Sequence, residues 1–398
     1  MRLTTNLTNR ILPPFRYDVV GSYLRPAFLK EARADFTAGK IDQETLTQQE
    51  NQAIAELVQQ QKKAGLQVIT DGEFRRSWWH LDFMWALNGV EKVAIEKGYE
   101  FNGEVTRAES ARLTGKISGE QHAFVDHFVF LQQFAEAGIV PRQTIPAPAQ
   151  FLKELQRPDN QAATTAIYTS EEELISDIAA AYQQVFHDLY NQGCRNIQLD
   201  DCTWGMMVDP SYSSNGLQNN GHTCSCGKQS SLRNEAIDLM AEQCLAVNNA
   251  ALADLPQDLI MTTHVCRGNY HSTWASSGGY EPIADVLFAR ENVSAYYLEF
   301  DTERSGDFSP LAHVSDDKYV VLGLVSSKLG ELEEPSEVIS RIKEATNYVP
   351  LERLCLSTQC GFASTEEGNI LTEAQQWAKI AFVKEVAELV WEDKQTAI

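Results

Sequence analysis

A histidine, two cysteines and a glutamate in the second half of this chain stand where a metal ion could be held. His264 and Cys266 are two residues apart in a β-branched run at 260–266 that reads as a strand, so their side chains share one face. Glu299 closes a second such run at 295–300, and Cys360 closes a third at 354–360. One imidazole, two thiols and one carboxylate make a borderline-soft donor set that suits tetrahedral Zn²⁺. Taken singly, each residue is as well explained by packing, because cysteine is among the residues most often buried. Four of them at neighbouring strand ends favour ligation.

The same positional rule gathers other polar groups. Runs at 18–22, 67–73, 142–147, 196–201 and 319–326 also read as strands, and most are separated by amphipathic stretches such as 43–64, 171–192 and 230–252. Gly21-Ser22, Asp71-Gly72-Glu73, Asp200-Asp201-Cys202 and Ser326-Ser327-Lys328 fall at strand ends. Near-continuous apolar strands alternating with helices predict a parallel sheet, and eight such units predict an α/β fold, a (β/α)8 TIM barrel. Barrel enzymes build their sites at the C-terminal strand ends, where these groups collect. Alternation around 105–117 predicts a hairpin inserted after the second strand, and 209–229 reads as a long loop after the fourth. An open doubly wound sheet is the other arrangement this pattern allows.

Composition narrows the class of function. At 398 residues and 43% apolar content, the chain can bury a large core, and a single barrel domain over 1–398 accounts for it. A net charge of −22 argues against nucleic acid or an anionic membrane as partner, since no basic face offsets it. The first 14 residues lack the apolar core of a secretory signal, and no run reaches the ~20 apolar residues of a membrane span. The expectation is a cytoplasmic protein whose eight cysteines are reduced, with Cys194, Cys244 and Cys355 in the core. His222, Cys224 and Cys226 form an H-x-C-x-C in the long loop, which is not a standard zinc spacing and reads as an exposed loop.

Six short segments, in order, resemble the catalytic barrel of the cobalamin-independent methionine synthase family in a short, single-barrel form. They are V-V-G-S at 19–22, D-G-E-F at 71–74, I-Q-L-D at 197–200, T-H-V-C at 263–266, Y-L-E-F at 297–300 and Q-C-G-F at 359–362. The resemblance implies Zn²⁺ on His264, Cys266, Glu299 and Cys360, with the sulfur of homocysteine entering the metal shell. It also implies Gly21 and Ser22 at the substrate carboxylate, and Glu73 and Asp200 on its ammonium group. The alternative for Glu73 and Asp200 is a structural ion pair with Arg75 or Arg76.

The chain departs from the family in three ways. The additional N-terminal barrel of the large synthases is absent from it. Where the family has a general-acid histidine after the seventh strand, this chain has Lys328, which could serve as an acid with a depressed pKa or with a different methyl donor. The family's folate-stacking tryptophan after the third strand is missing from 146–151; Trp78, Trp79 or Trp274 could replace it or simply pack. The expected activity is zinc-dependent methyl transfer to homocysteine or a related small thiol, from a methyl-folate, a methyl-corrinoid or S-methylmethionine. A decarboxylase or zinc hydrolase on the same barrel, and a non-catalytic zinc- or thiol-binding barrel, are the competing readings.

Overall fold

The computed structural model describes residues 12–210 and 228–391; His222, Cys224 and Cys226 lie outside them. Strands run in chain order as β1 (Tyr17–Asp18), β2 (Val68–Ile69), β3 (Asn88–Ala94), β4 (Glu109–Ser118), β5 (Val140–Pro141), β6 (Gln143–Pro146), β7 (Asn196–Asp201), β8 (Ile260–Val265), β9 (Ala295–Glu299), β10 (Tyr319–Val325) and β11 (Leu354–Thr358). Seven of them form one parallel sheet in the order β1-β11-β10-β9-β8-β7-β6, while β2 pairs in parallel with β5. Only Arg142 separates β5 from β6, so β2 continues the sheet past β6. The strands expected from the sequence are all present, mostly trimmed by one to five residues where loops begin.

Buried polar contacts show how far the sheet curls. β1 and β6 are its opposite edges, and flat spacing would hold them roughly 29 Å apart. Yet Arg142, beside β6, donates to Asp18 of β1 at 2.9 and 3.0 Å and to the hydroxyl of Tyr297 on β9 at 2.8 Å. The Tyr297 hydroxyl in turn donates to Asp18 at 2.7 Å, and Gln198 of β7 donates to the Val20 carbonyl at 2.5 Å. Edges joined by hydrogen bonds through the interior belong to a rolled sheet, and all of these side chains are buried.

Helices Gln43–Lys63, Glu171–Asn191 and Lys228–Ala251 follow the amphipathic stretches. The first starts where Asp42 accepts a hydrogen bond from the Thr45 amide at 2.9 Å, which satisfies one of the orphan donors of a helix start. The antiparallel pair β3–β4 lies between β2 and β5. On β4, Ala111, Leu113 and Ile117 are buried, whereas β3 is exposed or half-buried throughout. That is why only the second arm shows as alternation in the sequence.

Because Asp18 and Arg142 are desolvated together, removing one leaves an unpaired buried charge. Arg142→Met is expected to cost about 3–5 kcal/mol, read as a lowered urea midpoint; an unchanged midpoint would mean that the pair does not tie the sheet edges.

Candidate metal centre and substrate cavity

Parallel register brings the candidate ligands together. Asp200 pairs with His264 across β7–β8, and His264 with Tyr297 across β8–β9, so consecutive strands deliver their last residues to one rim. His264 Nε2, a Sγ from each of Cys266 and Cys360, and a Glu299 carboxylate oxygen belong to four buried side chains whose donor atoms lie within 4.8 Å of one another. The two sulfurs are 3.8 Å apart. Tetrahedral zinc at normal bond lengths needs donor separations of roughly 3.3–3.8 Å, so the quartet fits such an ion with small adjustments.

Each donor is aimed by a second contact. His264 Nδ1 donates to the Tyr297 carbonyl at 3.2 Å, and Nε2 is buried with no partner among the described residues. A ring with one nitrogen fixed by a carbonyl and its other lone pair free is the usual arrangement of a metal-binding histidine. The Gly268 amide donates to Cys266 Sγ at 3.3 Å. Glu299 Oε1 accepts from the Arg267 amide at 2.8 Å, and Oε2 lies 3.2 Å from Arg304. Hydrogen bonding to Cys202 and burial push the Cys266 thiol well up from its ordinary pKa; hydrogen bonding to Cys266 and burial do the same for Cys360. Two packed thiols cannot both ionise in a dry site without a cation between them. This donor chemistry matches a divalent, thiophilic ion.

Three of the four, His264, Cys266 and Cys360, line a cavity of about 530 Å³ whose walls also include Ser22, Glu73, Asp200 and Cys202. Gly361 lets Ser22 approach the Cys360 turn, because a Cβ there would overlap the serine oxygen. Gly21 has φ +132°, and the Thr70 hydroxyl fixes its carbonyl at 2.7 Å. Glu73 adopts φ +63°, an unfavourable backbone for a non-glycine residue. Arg25 holds it there by donating to its carbonyl at 2.7 Å.

The Glu73 carboxylate takes a 3.2 Å ion pair from Arg76 and a 2.9 Å hydrogen bond from Thr144 on Oε1, while Oε2 is buried without a partner. Arg75 is engaged elsewhere, with Glu50 at 3.1 Å. Structural pairing and an unsatisfied oxygen on the cavity therefore coexist in one residue. Burial, then the neighbouring Glu73 charge, push the Asp200 carboxyl well above its usual range, and burial raises Glu73 against the pull of Arg76. An acidic pair held partly protonated has an unmet demand for a cation.

Other residues fall where spacing could not place them. Lys328 is buried behind Glu299, with Nζ 4.0 Å from Oε2, and does not line the cavity. Trp78 and Trp79 do line it, with His80, Tyr99 and Phe101 from the β2–β4 region, Lys153, and Arg157, whose guanidinium lies over the Tyr99 ring. Trp274 instead packs under Arg304, 5.0 Å from ring centroid to guanidinium carbon. Cys202 is the residue that sequence reasoning passed over. It follows β7 directly and meets Cys266, whose amide donates to the Asp201 carbonyl at 3.0 Å; its place beside a candidate ligand is implied by the β7–β8 register but by no motif. Cys194, Cys244 and Cys355 are buried.

A curled parallel sheet with a thiol-rich, metal-compatible cluster at its C-terminal rim, and paired carboxylates lining the same cavity, defines an α/β protein with a candidate metal centre at its strand ends. Residues 15–140 match the family model described as the cobalamin-independent synthase catalytic domain. The uncharacterized protein YxjH of Bacillus subtilis (strain 168) is 42% identical over 381 residues, 95% of each chain. The methionine synthase of Saccharolobus solfataricus is 26% identical over 355 residues, 88% of this chain and 89% of its own. The crystal structure of the putative vitamin-B12 independent methionine synthase from Listeria monocytogenes is 34% identical, with a TM-score of 0.71 over 96% of this chain and 99% of that one. The chain belongs to the cobalamin-independent methionine synthase family. Among the described residues no helix is long and apolar enough to cross a membrane.

A carboxyl whose pKa is raised in the folded state favours folding at low pH and loses that advantage as pH rises through the raised value. Asp200 therefore costs the ligand-free protein stability at neutral pH. Asp200→Asn is expected to raise the thermal midpoint at pH 7.5 by about 2–4 °C, with the gain shrinking toward pH 4; a lowered midpoint at pH 7.5 would contradict the burial argument.

Proposed function

We propose that the protein transfers a methyl group to the thiol of homocysteine or a closely related small thiol, with Zn²⁺ held by His264, Cys266, Glu299 and Cys360. The observation that carries this is the convergence of those four donors beside a cavity lined by three of them together with Glu73 and Asp200. Bound zinc supplies a Lewis acid that keeps a substrate sulfur as thiolate at neutral pH, where a free alkyl thiol is mostly protonated.

The chain's own groups do the rest. Glu73 and Asp200 take the substrate ammonium, which satisfies the unpartnered Glu73 oxygen and relieves the repulsion within the pair. Gly21 and Ser22 receive its carboxylate. The substrate is thereby fixed by its amino-acid end, with its side chain directed at the quartet, an orientation that removes much of the entropic barrier to transfer. Asp200 enters the reaction from the cavity wall, whereas Lys328, outside the cavity lining, acts only through its neighbour Glu299. The proposal includes the closed (β/α)8 reading of the sheet as one domain, with β2 as its eighth stave, and a cytoplasmic setting that keeps the thiols reduced.

The donor side is assigned by class only. Trp78, Trp79, Tyr99 and Phe101 offer an aromatic surface for a planar donor such as a methyl-folate, while Lys153 and Arg157 favour a negatively charged one.

Purified protein is expected to retain one equivalent of zinc by elemental analysis and to bind homocysteine in calorimetry. Cys360→Ala should lose both. Homocysteine binding that survives complete removal of the metal would overturn the thiol-activation reading. With zinc and homocysteine present, methionine should form from one member of a panel of methyl-folates, methyl-corrinoids and S-methylmethionine. Binding without turnover on all of them would leave a thiol-binding barrel as the function.

A further inference from the structure

We propose that His80 is a specificity residue on the donor side of the cavity, fixed by Tyr99 and Glu154 so that its Nδ1 accepts a hydrogen bond from an N–H of a planar heterocyclic methyl donor. The inference rests on the methyl-transfer reading above and narrows its donor classes to those that carry such a ring.

Three segments far apart in the chain meet at this imidazole. His80 immediately precedes the helix Leu81–Trp85 and is buried in the cavity wall beside Trp78 and Trp79. Its ring lies 4.6 Å from that of Trp79, tilted by 35°, and meets Trp78 and Tyr99 edge-on. Tyr99 comes from the segment between β3 and β4, which folds back on itself: the Tyr99 amide donates to the Thr106 hydroxyl at 2.8 Å, and the Thr106 amide donates to the Tyr99 carbonyl at 3.0 Å. Gly98 permits that fold, because a Cβ there would overlap the Thr106 carbonyl. Glu154 is buried near the end of the helix Pro148–Leu155.

Counting protons along these contacts fixes the tautomer. The Tyr99 hydroxyl has one proton, which it donates to Glu154 Oε2 at 2.8 Å, while Ser110 donates to Oε1. Burial raises the Glu154 carboxyl, and Arg157 and the two hydroxyls oppose the rise. With its proton on Glu154, the Tyr99 oxygen is an acceptor for His80 Nε2, 3.2 Å away, so Nε2 carries the imidazole hydrogen. Nδ1 keeps its lone pair and is buried without a partner among the described residues. Burial, then the Arg157 charge, lower the His80 pKa to about 3, so the ring stays neutral and Nδ1 stays an acceptor.

An acceptor left without a donor in a dry wall is costly, and a ligand N–H relieves that cost. The surrounding aromatic rings suit a flat molecule, and Lys153 and Arg157 suit one with an anionic tail. A methyl-folate combines a flat ring, ring N–H groups and an anionic tail. S-methylmethionine has no ring, and the corrin ring of a methyl-corrinoid presents no N–H.

The test uses the full-length, zinc-loaded protein with homocysteine present and methyl-tetrahydrofolate as probe, its affinity read by calorimetry. His80→Phe, which keeps a flat ring without an acceptor, is expected to weaken probe binding about tenfold. His80→Asn, whose amide oxygen falls near the place of Nδ1, should recover most of that loss. Tyr99→Phe removes the group that fixes the tautomer and should weaken binding about threefold. Zinc content and homocysteine affinity should stay at wild-type values in all three, which a general loosening of the wall would not allow. Imidazole nitrogen NMR of the unaltered protein should show His80 with its hydrogen on Nε2; if His80→Phe fails to fold, this measurement and Tyr99→Phe decide. Probe affinity unchanged in His80→Phe, a hydrogen on Nδ1, or no probe binding by the unaltered protein would each overturn the proposal. The underlying reading fails separately: its mark is homocysteine binding that persists after the metal is stripped.

Discussion

Two thiols and a carboxylate that cannot all be ionised together without a cation, with a neutral imidazole beside them, are the constraint on which this molecule turns. Cys266, Cys360 and Glu299 are buried and close; a hydrogen bond with Cys202 and burial push the Cys266 thiol up, and a hydrogen bond with Cys266 and burial push up that of Cys360. Low dielectric strengthens the attraction such a donor set would exert on a divalent metal. The remainder of the structure reads as support. Parallel strands bring their last residues to one rim, the Arg142–Asp18–Tyr297 cluster holds the sheet edges across the interior, and carbonyl and amide contacts fix the donor directions.

The substrate end of the cavity repeats the principle with opposite sign. Glu73 is held in a strained backbone conformation with one carboxylate oxygen unsatisfied, beside an Asp200 that resists ionising. Such an arrangement spends stability on readiness for a cationic group, a trade common at binding sites. A zwitterion with a thiol side chain would meet both demands at once: its ammonium at the carboxylates, its sulfur at the quartet.

Much of this was legible in the sequence because strand ends are where local pattern and global position coincide. The apolar runs that end in His264-Val265-Cys266, Glu299 and Cys360 place those residues on a rim once the strands are parallel. What stayed hidden depended on side-chain direction or on contacts between distant segments. Lys328 follows the end of β10 by three residues, yet its ammonium lies beside Glu299 and outside the cavity lining. Arg304 has no motif and lies in a loop, so its pairing with Glu299 emerges only in three dimensions. The outer arm of the hairpin was missed because β3 is largely exposed and leaves no apolar alternation to read. Cys202 was in view at a strand end, but nothing in its spacing singled it out from the core cysteines.

X-ray absorption at the zinc edge of the reconstituted protein addresses the central claim most directly. The account predicts a four-coordinate first shell of two sulfurs, one nitrogen and one oxygen, matching the donors of Cys266, Cys360, His264 and Glu299. A shell without sulfur, or an ion surrounded by six light atoms, would contradict it.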